Sequence, residues 1–93
     1  MFQVAWTQAA LDELAEAWMA ADSRQRAAIN TAAEAAGGLL REDPENHGES
    51  RAGGRRVMFL PPLGLVFLVE PRLSSVRIVH VWTFRRRGEP TGE

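Results

Sequence analysis

The sequence predicts a single α+β domain in which a helical hairpin packs on one face of a small, mainly antiparallel sheet. Two segments carry apolar residues at helical spacing, and four carry the short apolar runs that are typical of strands. Turn residues separate these segments, and their order along the chain is β-α-α-β-β-β. A chain of 93 residues is long enough for one core and too short for a second.

The opening strand and the first helix come at the start of the chain. Alternating residues over Phe2–Trp6 predict the strand, and Thr7 can cap a helix that extends to about Ala21. The apolar stripe of this helix, which we expect to be buried, comprises Leu11, Leu14, Ala15 and Trp18. Glu13 and Glu16 fall off the stripe, so we expect both carboxylates to face solvent.

The second helix begins at a capping box formed by Asp22 and Gln25. Its alanine-rich stripe favours close packing and comprises Ile29, Ala32, Ala33, Ala36 and Leu40. The pair Gly37-Gly38 predicts a weakened last turn or a break, because each glycine costs about 1 kcal/mol relative to alanine inside a helix. Asp43-Pro44 ends the helix, since the residue before a proline is pushed out of the helical region.

A polar loop over residues 44–54 and three strands follow. We expect strands over residues 55–60, 64–70 and 76–85, and the second of them is apolar throughout and therefore central. The last strand alternates, and the side that we expect to face the helices comprises Val76, Ile78, His80, Trp82 and Phe84.

Charge is divided unevenly between the two halves of the chain. Residues 1–50 contain nine acidic residues and three arginines, a net charge of −6, whereas residues 51–93 contain eight arginines and three glutamates, a net charge of +5. This asymmetry favours a basic binding surface on the C-terminal half. All eleven basic residues are arginine, which a GC-rich genome explains as readily as phosphate recognition does.

The composition also limits which chemical groups the protein can use and where in the cell we expect it. The chain has no cysteine and two histidines, so we expect no disulfide, no metal site and no cofactor. It has neither an apolar run of about 18 residues nor a signal-peptide pattern, so we expect a cytoplasmic protein that does not enter a membrane. We expect one domain over residues 1–87 and a disordered tail over residues 88–93.

Three segments carry a resemblance to a known family. They are Val4–Leu14 with its Ala-Leu-Asp-Glu-Leu run, Asp43-Pro44 after the second helix, and the two closing strands from Gly64 to Arg87. In order, spacing and total length they resemble the RelE/ParE superfamily of toxins from bacterial type II toxin–antitoxin systems. The resemblance implies a role in plasmid stabilisation and a cognate antitoxin that binds the toxin in a hetero-oligomer.

The resemblance also implies site residues, because RelE-like members place basic side chains on the sheet and after its last strand. By position, the catalytic residues would be Arg55, Arg85 and Arg87. The residues that contact nucleic acid or another target would be Arg56, Arg77 and Arg86. The sequence differs from the family in having Gly64 where the penultimate strand opens with an arginine, and in having no tyrosine. His80 is the titratable group nearest to the expected site.

Three functions remain open at this stage, and they differ in whether the protein is an enzyme. RelE-like toxins are endoribonucleases that cut mRNA on the ribosome, and this chain would use its arginines on the scissile phosphate. ParE-like toxins inhibit DNA gyrase by binding, for which the basic residues and the helical hairpin would be the contact surface. A non-toxic relative would only bind a partner protein, and an apolar face of residues 63–69 left uncovered by helices would suit an antitoxin segment or a second copy.

Overall fold

Two helices cover one face of a five-stranded mixed sheet in the computed structural model, which describes residues 1–84. The elements in chain order are β1 (Gln3–Trp6), α1 (Gln8–Ala20), α2 (Ser23–Glu42), β2 (Glu49–Ser50), β3 (Arg55–Leu60), β4 (Leu63–Glu70) and β5 (Ser75–Thr83). The strand order across the sheet is β1-β5-β4-β3-β2, with β1 parallel to β5 and every other neighbouring pair antiparallel. The predicted α+β fold is confirmed.

Both helices begin at the predicted caps. The Thr7 hydroxyl accepts the Ala10 N–H at 3.2 Å, which satisfies one of the free donors at the start of α1. The Asp22 carboxylate accepts the Gln25 N–H at 2.9 Å, and the Gln25 side chain accepts the Asp22 N–H at 3.1 Å. This reciprocal capping box fixes the start of α2 directly after α1, so the two helices form the predicted hairpin.

Helix α2 continues without a break through Gly37 and Gly38 to Glu42, so the predicted interruption is wrong. The side chain of Leu40 is fully buried beyond the two glycines. In addition, the Phe2 N–H donates to the Arg41 carbonyl at 2.9 Å, which ties the last turn to the start of the chain. Burial of a leucine contributes about 1.5–3 kcal/mol, and together with this bond it offsets the cost of the glycines.

The region predicted as a polar loop contains the short edge strand β2. The guanidinium of Arg56 holds it in place by donating to the carbonyls of His47 (2.9 Å) and Gly48 (3.1 Å) and to the hydroxyl of Ser50 (3.3 Å). Gly48 has a φ of 76°, and a Cβ there would lie 2.5 Å from the Val57 carbonyl oxygen. The turn before β2 therefore requires glycine.

Helix α1 buries a different stripe from the predicted one. Ala10 is fully buried, and Leu14, Ala17 and the C-cap residue Ala21 pack against the core, whereas Leu11 and Trp18 are 44% and 39% exposed. Of the predicted stripe, Leu14 is the residue that packs against the core. Small alanines on the inner side let the helix approach the sheet closely, which large side chains at those positions would prevent.

Arg26 fastens the turn between the two helices. Its guanidinium donates to the carbonyls of Trp18 (2.8 Å) and Met19 (3.2 Å) at the end of α1, and its Cζ lies 4.3 Å from the centroid of the Trp18 ring. A cation at a helix C-terminus is favoured by the helix dipole, and the ring adds a cation–π contact. Trp18 is therefore held on the outside of the hairpin.

We expect Arg26→Ala to lower the free energy of unfolding by about 1–2 kcal/mol, because it removes the carbonyl contacts and the ring contact together. Urea unfolding followed by circular dichroism measures the change. Arg24→Ala is the matched control, since Arg24 is exposed on the same helix and has no hydrogen-bond partner within the described chain. Equal losses in the two variants would contradict the role assigned to Arg26.

The core lies between the helices and the side of the sheet that they cover. From the helices it contains Ala10, Ile29, Ala32, Ala36 and Leu40, and from the sheet Met58, Leu63, Leu65, Phe67, Val76, Ile78 and Val81. In the described part of the chain, neither helix is long and apolar enough to cross a membrane.

Strand β5 contains a β-bulge at Val79. The consecutive β4 residues Val66 and Phe67 pair with His80 and Ile78, so Val79 is an extra residue on the β5 side. Because side chains alternate along a strand, one extra residue reverses which face the following side chains occupy.

The bulge overturns the predicted orientation of the end of β5. Before it, Val76 and Ile78 are fully buried beneath the helices, as predicted. After it, Val81 faces the helices and is 4% exposed, whereas His80 and Trp82 lie on the opposite face. The prediction that His80, Trp82 and Phe84 face the helices is therefore wrong, since the ring of Phe84 contacts Phe59 on the opposite face.

Candidate nucleic-acid interface

The sheet face opposite the helices is not covered by any helix within residues 1–84. By strand register, its side chains form three rows across β3, β4 and β5, which are Arg55–Leu68–Arg77, Val57–Val66–His80 and Phe59–Gly64–Trp82. We term this surface the open face, and its rows the cationic, middle and aromatic rows. From strand and residue spacings, the rows span about 10 Å by about 13 Å.

The cationic row carries two exposed guanidinium groups. Arg55 and Arg77 both pair with Leu68, one from each side, which places their backbones about 10 Å apart. The Nε of Arg77 lies 3.4 Å from the Glu70 carboxylate, and both side chains are partly exposed. Such a surface ion pair contributes at most about 1 kcal/mol, so Arg77 can exchange this partner for a phosphate.

The aromatic row lies at the end of the open face opposite the cationic row. The ring of Phe59 meets the rings of Trp82 and Phe84 edge to face, with centroid distances of 6.0 and 5.4 Å. Phe59 is 53% exposed and Trp82 is 36% exposed. Partly exposed rings of this kind are platforms on which nucleic-acid bases stack.

Gly64 lies beneath the Trp82 ring. A Cβ at this position would stand 2.8 Å from the indole Nε1 and closer still to two ring carbons. Trp82 therefore occupies the space that any side chain at position 64 would need. The family resemblance would place an arginine at this position, and the Trp82 ring covers it instead.

The middle row contains His80, which is paired with a carboxylate from α1. Glu13 accepts the Val81 N–H through Oε1 at 3.0 Å, and its Oε2 lies 3.4 Å from Nδ1 of His80. β1 ends at Trp6, opposite Ile78, so Glu13 satisfies a β5 donor beyond the end of the neighbouring strand. Glu13 therefore has structural partners, and the prediction that it only faces solvent is wrong.

The structure brings two of the six predicted site residues together on the open face, Arg55 and Arg77. Arg56 points to the other side of β3 and holds the turn before β2. The remaining three, Arg85, Arg86 and Arg87, lie outside the described residues and stay predictions. Within residues 1–84, no group of three or more histidine and acidic side chains could hold a metal ion.

Sequence reasoning missed the Glu13–His80 pair and the aromatic row. The pair joins residues 67 positions apart, and no local pattern signals such a contact. The aromatic row depends on the bulge, since without it Trp82 would turn towards the helices.

Comparison with known proteins is informative for the fold. No family model matches the chain, and no curated protein matches its sequence. Solved structures do match. A chain of the Mycobacterium tuberculosis toxin–antitoxin complex RelBE2 has a TM-score of 0.69 and 19% identity, over 89% of this chain and 91% of that one.

Two further solved structures are also similar to this chain. A chain of the chromosomal ParDE toxin–antitoxin system of P. aeruginosa has a TM-score of 0.71 and 19% identity, over 91% of this chain and 98% of that one. The isolated E. coli RelE toxin has a TM-score of 0.59 and 17% identity, over 95% of this chain and 89% of that one. The chain thus shares its α+β fold with the matched chains of these structures. Its fold is RelE/ParE-like, as the sequence predicted.

Proposed function

We propose that this chain is the toxin of a type II toxin–antitoxin pair and that it cleaves mRNA on the ribosome through its open face. One observation carries the proposal, namely that the cationic and aromatic rows stand at opposite ends of one exposed face. Single-stranded RNA is bound by cations along its phosphates and by aromatic rings beneath its bases. The RelE/ParE-like fold supports the same class of protein.

The proposed role of the arginines is electrostatic. Arg55, with Arg85 and Arg87 from beyond the described residues, would stabilise the charge that develops on the scissile phosphate. Arg77 and Arg86 would hold neighbouring phosphates. Guanidinium groups stay protonated at physiological pH, so they supply charge and hydrogen bonds but do not transfer protons.

A cognate antitoxin is the proposed partner, and a groove on the edge of the domain suits it. This groove has a volume of about 400 Å³ and is lined by Ala27, Ala28, Thr31, Ala32, Ala35, Leu60 and Pro61. Beside it, β2 pairs with β3 at Arg56 and Val57 and leaves the edge beyond Val57 without a partner strand in the described residues. An antitoxin segment would add a strand there and place apolar side chains in the groove.

We expect induction of the protein in a bacterial host to stop amino-acid incorporation before thymidine incorporation, with cleaved mRNA detectable by primer extension. In Arg55→Ala/Arg77→Ala, and separately in Arg85→Ala/Arg87→Ala, cleavage should be about 100-fold slower, because each change removes two cations from the proposed phosphate site. If a small protein is encoded in an adjacent reading frame and is the antitoxin, its co-expression should restore growth.

The matched control is Arg24→Ala/Arg41→Ala, which removes two exposed arginines from α2 and leaves the open face unchanged. This variant should arrest translation at the wild-type rate. Intact mRNA after induction of the wild type would reject the cleavage proposal. Equal loss of activity in the control and in the open-face variants would reject the open face as the acting surface.

Gyrase inhibition is the second candidate, and exposed apolar side chains on α1 favour it. Leu11, Trp18 and Met19 are 44%, 39% and 66% exposed on the helical hairpin, which is a surface suited to a protein target. In this case thymidine incorporation would stop first and mRNA would stay intact. If neither process stops while the folded protein accumulates, the chain is a binding module without toxicity.

A further inference from the structure

We propose that Glu13 and His80 act together as the proton-transfer pair of this chain, with His80 as the catalytic base and Glu13 as the residue that positions it. The inference rests on the proposed function, and it assigns to the open face the proton acceptor that its arginines cannot provide. It follows from the bulge in β5, the contacts of Glu13 and the chemistry of the neighbouring side chains.

The bulge at Val79 places His80 on the open face. Without the extra residue, the alternation of β5 would turn His80 beneath the helices with Ile78. With it, His80 lies in the middle row, between Arg77 of the cationic row and Trp82 of the aromatic row. Bulges are common beside active sites because they redirect one side chain while the rest of the strand stays paired.

Glu13 is held in a fixed position from which it can orient the imidazole. Its Oε1 accepts the Val81 N–H at 3.0 Å, which fixes the carboxylate against the strand, and its Oε2 lies 3.4 Å from Nδ1 of His80. A carboxylate beside Nδ1 keeps the proton on that nitrogen and leaves Nε2 as the basic atom. Contacts of this kind are often long in a free enzyme and shorten when substrate binds.

His80 has few competitors for the role among the residues that the structure describes. The sequence contains no tyrosine, lysine or cysteine. The second histidine, His47, lies in the turn before β2, where its carbonyl accepts a bond from Arg56. The charged group that contacts His80 in the described residues is Glu13 from α1, and its register partner on β4 is the apolar Val66.

The proposed reaction needs only RNA, water and the imidazole of His80. Nε2 of His80 takes the proton of a ribose 2′-hydroxyl, the 2′-oxygen forms a bond to phosphorus, and the bond from phosphorus to the 5′-oxygen breaks. The leaving 5′-oxygen takes a proton from water, and the resulting hydroxide takes the proton from the imidazolium. The products are a 2′,3′-cyclic phosphate and a 5′-hydroxyl, and His80 returns to its neutral form.

We expect His80→Gln to slow cleavage of mRNA on purified ribosomes by about 100-fold or more, which is the usual effect of removing a general base. Glu13→Gln should slow it by about tenfold, because the amide oxygen still accepts the Val81 N–H but no longer carries the charge that orients the imidazole. The matched controls are His47→Gln and Glu16→Gln, and both should cleave at the wild-type rate.

Two further measurements separate catalysis from a structural role. The wild-type rate should fall when the solution is made acidic, as expected of a reaction that uses a general base, and His80→Gln should lose this dependence. In His80→Ala, added imidazole should restore part of the rate. Binding of the variants to ribosomes should stay within about twofold of the wild type, since His80 is exposed and its replacement leaves the rows of Arg77 and Trp82 in place.

The outcomes distinguish this inference from the function on which it rests. If the wild type cleaves mRNA and His80→Gln cleaves it equally well with the same pH profile, the catalytic role of Glu13 and His80 is rejected. The proposed nuclease function is retained in that case. If His80→Ala loses activity but imidazole does not restore it and circular dichroism shows an altered fold, a structural role replaces the catalytic one. If the wild type does not cleave mRNA at all, the proposed nuclease and the pair are rejected together.

Discussion

Replacing Phe67 by alanine should lower the free energy of unfolding by about 3–5 kcal/mol, the largest loss that we expect from a single substitution in this chain. Phe67 is fully buried in β4 and faces the two helices. Its loss removes a large ring from the middle of the core and leaves a cavity that the surrounding strands cannot close. Small domains have total stabilities of about 5–15 kcal/mol, so the effect is a large share of the whole.

Urea unfolding followed by circular dichroism measures this loss, with Phe59→Ala as the matched control. Phe59 lies on the adjacent strand but on the open face, and it is 53% exposed. Its replacement should cost less than about 1.5 kcal/mol, mainly through its contacts with two other rings. Losses of equal size would mean that the open face contributes as much to stability as the covered one, contrary to the burial described above.

The second large effect is at Gly64, where we expect Gly64→Ala to lower the free energy of unfolding by about 1–3 kcal/mol. The added methyl group would overlap the Trp82 ring, which must then leave its position beside Phe59. The same displacement should weaken RNA binding if the aromatic row stacks on bases. Chemical denaturation gives the stability change, and a gel-shift assay with single-stranded RNA gives the binding change.

Two control variants test the cause of this effect. Gly37→Ala should raise the free energy of unfolding by about 0.5–1 kcal/mol, because a Cβ there meets nothing within 4 Å and alanine is the better helix former. In a Trp82→Ala background, Gly64→Ala should cost little, since the overlapping ring is gone. An undiminished cost in that background would show that backbone conformation, not the Trp82 ring, requires glycine at position 64.

Local signals allowed much of the fold to be predicted from the sequence. The caps at Thr7 and Asp22 and the boundaries of β3 follow from neighbouring residues, and the structure agrees with them. The continuity of α2 through Gly37 and Gly38 could not be predicted in this way. It depends on the burial of Leu40 and on a hydrogen bond from the start of the chain, which local propensity does not contain.

The candidate site was predictable only in part, because its geometry depends on an irregularity. The family resemblance gave Arg55 and Arg77 as site candidates, and the structure places both on the open face. The extra residue at Val79 has no sequence signature, and regular alternation led to the wrong face for His80 and Trp82. The contacts of Glu13 with Val81 and His80 could not be predicted for a different reason. On the helix considered alone, Glu13 is an ordinary surface carboxylate.

The parallel pairing of β1 with β5 has a consequence for synthesis of the protein. Gln3 pairs with Ser75, which the ribosome adds 72 residues later, or about 4–14 s later at ordinary bacterial speeds. During that interval β1 has no strand to pair with, and the β3–β4 hairpin exposes an edge that β5 will later cover. The sheet can be completed only after nearly all of the described chain has been made.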